Sequence, residues 1–203
     1  MIICHIVSTI LLIYDSGREL YIKGKATITV MEEYRMDRKT TALRYPAVPL
    51  AAHDPYFSIW SFADTLNGDW AHHWTGSRIG IAGLIRIDGK AFTWSGTGQF
   101  APLLPQTSCR VLPTRTLYTF EGEGVRFTVT FLTPALPHRL DVLSRPVTYV
   151  IFSAESADGR AHDCRVYFDC GGEPCVDQPG DQVVWSRYRH GDFELMSFGA
   201  ANQ

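Results

Sequence analysis

The sequence predicts an all-β protein, an antiparallel β-sandwich that is truncated at its C-terminus. Three observations carry that expectation. Apolar residues recur at every second position in several short runs. Asp-Gly, Gly and Pro turn signals separate those runs. No long amphipathic helical pattern follows residue 75. Composition agrees with this: 203 residues with 45% hydrophobic and 20% charged content have the balance of a globular domain. The formal charge of −2 offers no basic surplus to neutralise phosphates, so nucleic acid is not an expected partner.

Residues 1–41 are read as a poorly defined N-terminal extension. The apolar run 2–13 has no Lys or Arg before it and no small-residue cleavage site after it, which argues against a signal peptide. It is also too short to span a bilayer as a helix, and no membrane partner is expected. A start at Met31 or Met36 is the favoured reading. The sandwich domain is assigned to residues 42–203. Pro46, Pro49 and Pro55 keep its approach extended. Residues 54–61, DPYFSIWS, then place Tyr56, Phe57, Ile59 and Trp60 close together as the organiser of the domain, and these aromatics are read mainly as core. Residues 61–66 predict a short helical turn with Ser61 as N-cap and Asp64 as the capping acid, and Asn67-Gly68 predicts a turn.

The hairpins follow. Ile79, Ile81, Gly83, Ile85 and Ile87 share one face, Asp88-Gly89 supplies a type I′ turn, and residues 90–95 return. A Pro-rich crossing marked by Pro102, Pro105 and Pro113 leads to a second hairpin: 115–120, a turn at 121–124, and 125–132, where Val125, Phe127, Val129 and Phe131 alternate with polar residues. A third hairpin is predicted from 147–153 through Asp158-Gly159 to 163–169. Residues 170–181 form a loop whose length suits a functional or simply exposed segment. Residues 183–188 and 193–198 read as strands, the last with no partner after it, which is why the chain is expected to be a fragment.

Motifs that carry chemistry are few. The cysteines Cys4, Cys109, Cys164, Cys170 and Cys175 are odd in number and lack zinc spacing; they read as free thiols of a reducing compartment, with a Cys170–Cys175 bridge as the alternative. Asp54 before Pro55 is read first as a turn carboxylate accepting backbone N–H groups, and second as a ligand contact. His72 and His73 are adjacent, so in a strand they face opposite ways and cannot easily share a metal. No metal or cofactor is expected. There is no G-x-S-x-G elbow, and Gly96-x-Gly98 lacks the rest of a dinucleotide loop. The acids Glu121, Glu123, Asp177 and Asp181 read as solvated loop charge.

One string is more specific. PAVPL at 46–50, DPYFSIWS at 54–61, FAD at 62–64, HWTG at 73–76 and IRIDGK at 85–90 stand in an order and spacing that resembles the N-terminal region of the glutaminase A family. The resemblance is close over residues 43–98 and looser to the end. It implies an N-terminal β-sandwich followed by a large helical (α/α) toroid, and hydrolysis of L-glutamine to L-glutamate and ammonia by the full-length protein. The toroid would be the partner of this domain, and these residues alone would be inactive, with no catalytic residue among them. Asp54, Tyr56, Trp60, His73 and Trp74 are the expected substrate-side residues at the domain interface. The location is read as cytoplasmic, with secreted or periplasmic as the alternative because family members are often exported. Two other readings stand beside it: a carbohydrate- or peptide-binding module using the Tyr and Trp faces, and a purely structural sandwich.

Overall fold

In the computed structural model, residues 2–4, 10–12 and 45–201 are described, except 179 and 192, with residues 2–4, 10–12 and 193 described by backbone alone. The elements in chain order are β1 (Ile2–Cys4), β2 (Ile10–Leu12), β3 (Val48–Ala52), β4 (Ser58–Ser61), β5 (Ala71–His73), β6 (Arg78–Ile79), β7 (Ile81–Ile87), β8 (Lys90–Ser95), β9 (Gln106–Leu112), β10 (Arg115–Gly122) and β11 (Val125–Leu132). A one-turn helix α1 (Leu140–Leu143), β12 (Thr148–Ser156), β13 (Cys164–Cys170), a 3-10 turn (Glu173–Cys175), β14 (Val183–His190) and β15 (Phe193–Ala200) complete them. The sheets run β2-β12-β11-β10-β9, β13-β7-β8, β3-β4-β5-β6 and β1-β15-β14. Pairing is antiparallel except where β1 meets β15 and β2 meets β12. The protein is an all-β sandwich, as the alternation predicts. The rest of residues 1–41, including the proposed starts at Met31 and Met36, lies outside the described residues.

Alternation explains the core. In β11 the odd-numbered residues from Val125 to Phe131 are buried, while Arg126 is exposed. In β7 and β8, Ile81, Ile85, Ile87 and Trp94 face the same interior. Trp94 is 0% exposed. It stacks on Phe168 of β13 at 5.8 Å, meets the edge of Phe152 of β12 at 5.5 Å, and leans on Phe127 of β11 at 5.9 Å. One indole thus joins strands of two sheets, and burying a ring of this size contributes on the order of 4–6 kcal/mol. Gly83 lies beneath it, where any Cβ would overlap the indole.

Turn chemistry sets the hairpins. Asp88 and Gly89 take φ of 49° and 87°, and Glu123 and Gly124 take 50° and 74°, the paired left-handed residues of a type I′ turn. Strand β10 therefore runs to Gly122, two residues beyond the expected end. The Pro-rich crossing contains the strand β9, which turns into β10 at Pro113-Thr114 with Thr114 at φ 68°.

Three expectations are corrected. Residues 61–66 form no helix: the chain leaves β4, bends, and turns where the Gly68 N–H donates to the Thr65 carbonyl. Asn67 holds that turn down by donating from Nδ2 to the carbonyls of Thr93 and Leu104, at 2.9 and 2.8 Å. The last strand is not unpartnered, since β15 pairs with β14 and β1. The third hairpin is a crossover: β12 pairs with β11, whereas β13 pairs with β7.

A histidine explains the crossover. The His162 side chain is 5% exposed, with Nδ1 2.7 Å from Asp88 Oδ2 and Nε2 2.9 Å from Asp158 Oδ1. Carboxylate oxygens only accept, so both ring nitrogens must donate and the ring is an imidazolium. Asp158 also takes the Arg160 N–H and guanidinium, and Asp88 takes the Asp163 N–H. The Gly124 carbonyl accepts from Ala157, and a Cβ on Gly124 would overlap Asp158. Three turns are clasped around one cation, and the chain is carried to the far sheet. His162 is held above its ordinary pKa, first by its hydrogen bond to Asp158 and then by that to Asp88. Both carboxyls are held low in turn, each chiefly by its hydrogen bond from His162.

Candidate functional site

The site begins with a turn. Asp54 Oδ1 accepts the N–H groups of Tyr56 and Phe57 at 2.8 and 3.0 Å, the local bonding that Asp favours beside Pro. This fixes Pro55, whose carbonyl receives two donors from the segment after β5: His73 Nε2 at 3.0 Å and Trp74 Nε1 at 2.6 Å. Because a carbonyl only accepts, the His73 proton sits on Nε2. Its Nδ1 then accepts from the Thr75 hydroxyl at 2.8 Å. Both nitrogens of His73 are thereby occupied, and the ring is a pin rather than a free base.

Against this pinned loop lies a cleft of about 530 Å³. Phe57, Ile59 and Ile79 give it an apolar floor; Tyr56, His73, Thr75 and Ser77 form one wall; Glu173, Pro174, Val176 and Asp177 form the other, with Arg78 between them. The Arg78 guanidinium lies 5.2 Å from the Trp70 ring centroid and 3.9 Å from Glu173 Oε1. Glu173 Oε2 is shielded from solvent and has no hydrogen-bond partner. The carboxylate packs over the backbones of Gly80 and Gly171, and a Cβ on Gly171 would overlap it. The Gly171 N–H donates to the Gly80 carbonyl at 2.7 Å, so β13 delivers this loop directly to the end of β7.

The five site residues read from sequence separate into three groups. Tyr56 and His73 line the cleft. Tyr56 is 93% exposed, contrary to its reading as core; only its neighbour Phe57 turns inward. Asp54 and Trp74 brace the loop through Pro55 from outside the cleft. Trp60 is half-buried and donates to the Ser58 hydroxyl at 2.5 Å. It pairs across the sheet with His72, while Ile59 pairs with His73, so Trp60 faces away from the cleft. Arg78, Glu173 and Asp177 were not singled out as site residues; Asp177 reads from sequence as solvated charge. The signal that reaches two of them is the length of the loop at 170–181.

The arrangement is suited to binding polar ligands. Among the described residues no group of three or more His, Cys, Asp or Glu side chains could hold a metal, and no helix is long and apolar enough to cross a membrane. Cys109, Cys164 and Cys175 are free thiols. Burial pushes the Cys164 thiol up to about 11, which leaves it a poor nucleophile.

Comparison with known proteins adds to this geometry. Two family models match in tandem, one described as a domain of unknown function (DUF4964) over residues 24–103 and one as a domain of unknown function (DUF5127) over residues 114–203. Glutaminase A of Aspergillus oryzae is 38% identical over 138 residues, covering 64% of this chain and 20% of that protein. A probable glutaminase of Arthroderma benhamiae is 25% identical over 158 residues, covering 68% and 18%. The chain thus spans about a fifth of the length of the curated relatives it matches. No solved structure matches it. The gap between the two family matches falls in β9 and its flanks, yet β13 of the second match pairs along its whole length with β7 of the first. The two matched segments build one core.

Proposed function

From the premise that this chain is a glutaminase-like N-terminal region, we propose that it is the non-catalytic β-sandwich of an amidohydrolase acting on L-glutamine. In this reading a helical (α/α) toroid of the same polypeptide performs the hydrolysis. Asp54, Tyr56, His73 and Trp74 present or brace the face that adjoins the substrate, and Trp60 holds the sheet behind them. The observation that carries the proposal is the occupied state of His73. The cleft contains polar recognition groups, and its one imidazole has both nitrogens hydrogen-bonded, so His73 holds the loop in place and does not serve as a base. The 203-residue chain alone should release no ammonia from L-glutamine above the uncatalysed rate. A longer polypeptide carrying this sandwich and the helical region should release it. Turnover by the chain alone, or none by the longer polypeptide with this sandwich folded, overturns the proposal.

A second reading rests on Tyr56 and Trp74, which are 93% and 58% exposed beside the same cleft. Exposed aromatic faces of this kind suit a sugar or an extended peptide. Titrating oligosaccharides while following tryptophan fluorescence tests it, and a flat response across the panel removes it.

A further inference from the structure

Strand β14 is a long sheet edge that the fold leaves open. We infer that it pairs with β14 of a second copy of this chain, antiparallel across a two-fold axis at Ser186. The two three-stranded sheets then become one of six strands.

Strand β14 ends the order β1-β15-β14, so one row of its backbone N–H and C=O groups faces outward. It is exposed at every position from Val183 to His190. It is also held in place: Val183 lies against Gly172, and Met196 and Phe198 of β15 pack on the core. Other edges are interrupted. Strand β3 contains Pro49 and a shift of register. Strand β8 is covered where Thr93 exchanges backbone hydrogen bonds with Pro102 and Leu104. Strand β14 has no Pro or Gly, and its pairing with β15 runs through eight positions without a shift. Charge is the other usual protection of an edge. Here Arg187 and Arg189 both turn back to Glu194 of β15.

The edge fits itself. A two-fold axis normal to the sheet keeps like faces together. With the axis at Ser186, Trp185 meets Arg187 of the second copy, Val184 meets its Tyr188, and Val183 meets its Arg189. The Arg187 guanidinium keeps its N–H edge on Glu194 and offers its face to the indole. Apolar meets aromatic, and no like charges stand opposite. Moving the axis to Arg187 sets that residue against itself, and moving it to Trp185 shortens the overlap. An acidic strand from another protein fits less well. It would compete with Glu194 for the arginines and leave Val183, Val184 and Trp185 without apolar partners. The axis uses each edge once, so assembly stops at two. A junction of one strand pair is smaller than a standard interface, so the dimer is weak and concentration-dependent.

Light scattering of the folded 203-residue chain, from micromolar to millimolar, should show monomer passing to dimer and no further. The Trp185 side chain is 69% exposed, so Trp185→Lys should fold normally and weaken association by roughly tenfold or more. Leu140→Lys, at a residue equally exposed elsewhere, should leave association unchanged. Cysteines read the register. Ser186→Cys should give a disulfide-linked dimer on air oxidation, whereas Tyr188→Cys, set opposite Val184, should give none beyond the wild-type background. A monomer at every concentration, in a chain whose dispersed amide signals show it folded, overturns the inference. So does dimerisation that Trp185→Lys leaves intact, equal cross-linking of the two cysteine variants, or growth beyond the dimer. A monomer that binds oligoglutamate along residues 183–190 gives the edge to a foreign strand. A longer polypeptide that stays monomeric gives it to that polypeptide's own strands. Either result also overturns the inference.

Discussion

Two polar regions of the molecule differ in how completely they satisfy themselves. At the clasp, both nitrogens of His162 meet carboxylates, and both carboxylates take further N–H donors. At the cleft, the Arg78–Glu173 ion pair is long and a shielded Glu173 oxygen has no hydrogen-bond partner. Strand β7 runs from one to the other, with Gly80 at the cleft and Asp88 at the clasp, about 26 Å apart at strand rise. A saturated network specifies a connection and leaves nothing to offer a ligand. An unsaturated one stands at a stability cost and has groups free for recognition.

The largest expected effect tests whether the two regions depend on one core. Trp94→Ala should cost about 3–5 kcal/mol in urea unfolding, and amides at both ends should lose protection together. Separate transitions at the two ends would show that they are independent units.

The clasp should respond to pH. The folded pKa of His162 is raised, so its contribution is complete below about pH 6.5 and is lost as pH rises through the raised value. Asp88 and Asp158 are lowered, so theirs is complete above about pH 4 and is lost as pH falls through the depressed values. The clasp is therefore whole between those limits. His162→Gln should lower the melting temperature most near pH 5 to 6 (the window just given), and progressively less on the alkaline side. A difference that stays constant with pH would mean that His162 is not the cation the geometry requires.

Smaller effects sharpen the contrast. His73→Ala removes one of two donors from the Pro55 carbonyl and should cost about 1 kcal/mol or less. An unchanged midpoint in urea unfolding would show that the Trp74 donor alone suffices. Smallest, Thr114→Gly should raise stability by about 0.5 kcal/mol. A β-branched residue at φ 68° is strained, and glycine relieves this at some entropic expense. A melt with no upward shift would show that the Pro113-Thr114 turn tolerates its side chain.

What was legible in the sequence was whatever local chemistry decides. Ile81, Ile85 and Ile87 declare one face, and Asp88-Gly89 declares the turn, so the hairpin of β7 and β8 is where alternation places it. Asp158-Gly159 has the same turn chemistry, but there it is overruled. The partner of β13 is chosen by Phe168 meeting Trp94 and by His162 reaching Asp88, contacts between residues distant in the chain. The same limit applies to the site. Asp54 was readable because its bonds go two and three residues along. The meeting of Arg78 with Glu173 needs β7 and β13 already paired. Tyr56 shows a different failure, since an aromatic in a dense cluster says nothing about which side of the turn it occupies.

The pairing of β7 with β13 also has a consequence in time. During synthesis β7 emerges about eighty residues before its partner, and until then one of its edges is open. That edge belongs to a strand with Ile81, Ile85 and Ile87 along it, and an uncovered apolar strand recruits copies of itself. Only β8, following at once through the Asp88-Gly89 turn, occupies the other edge. The interval between the two halves of this chain is thus the period in which it is most exposed to association with its neighbours.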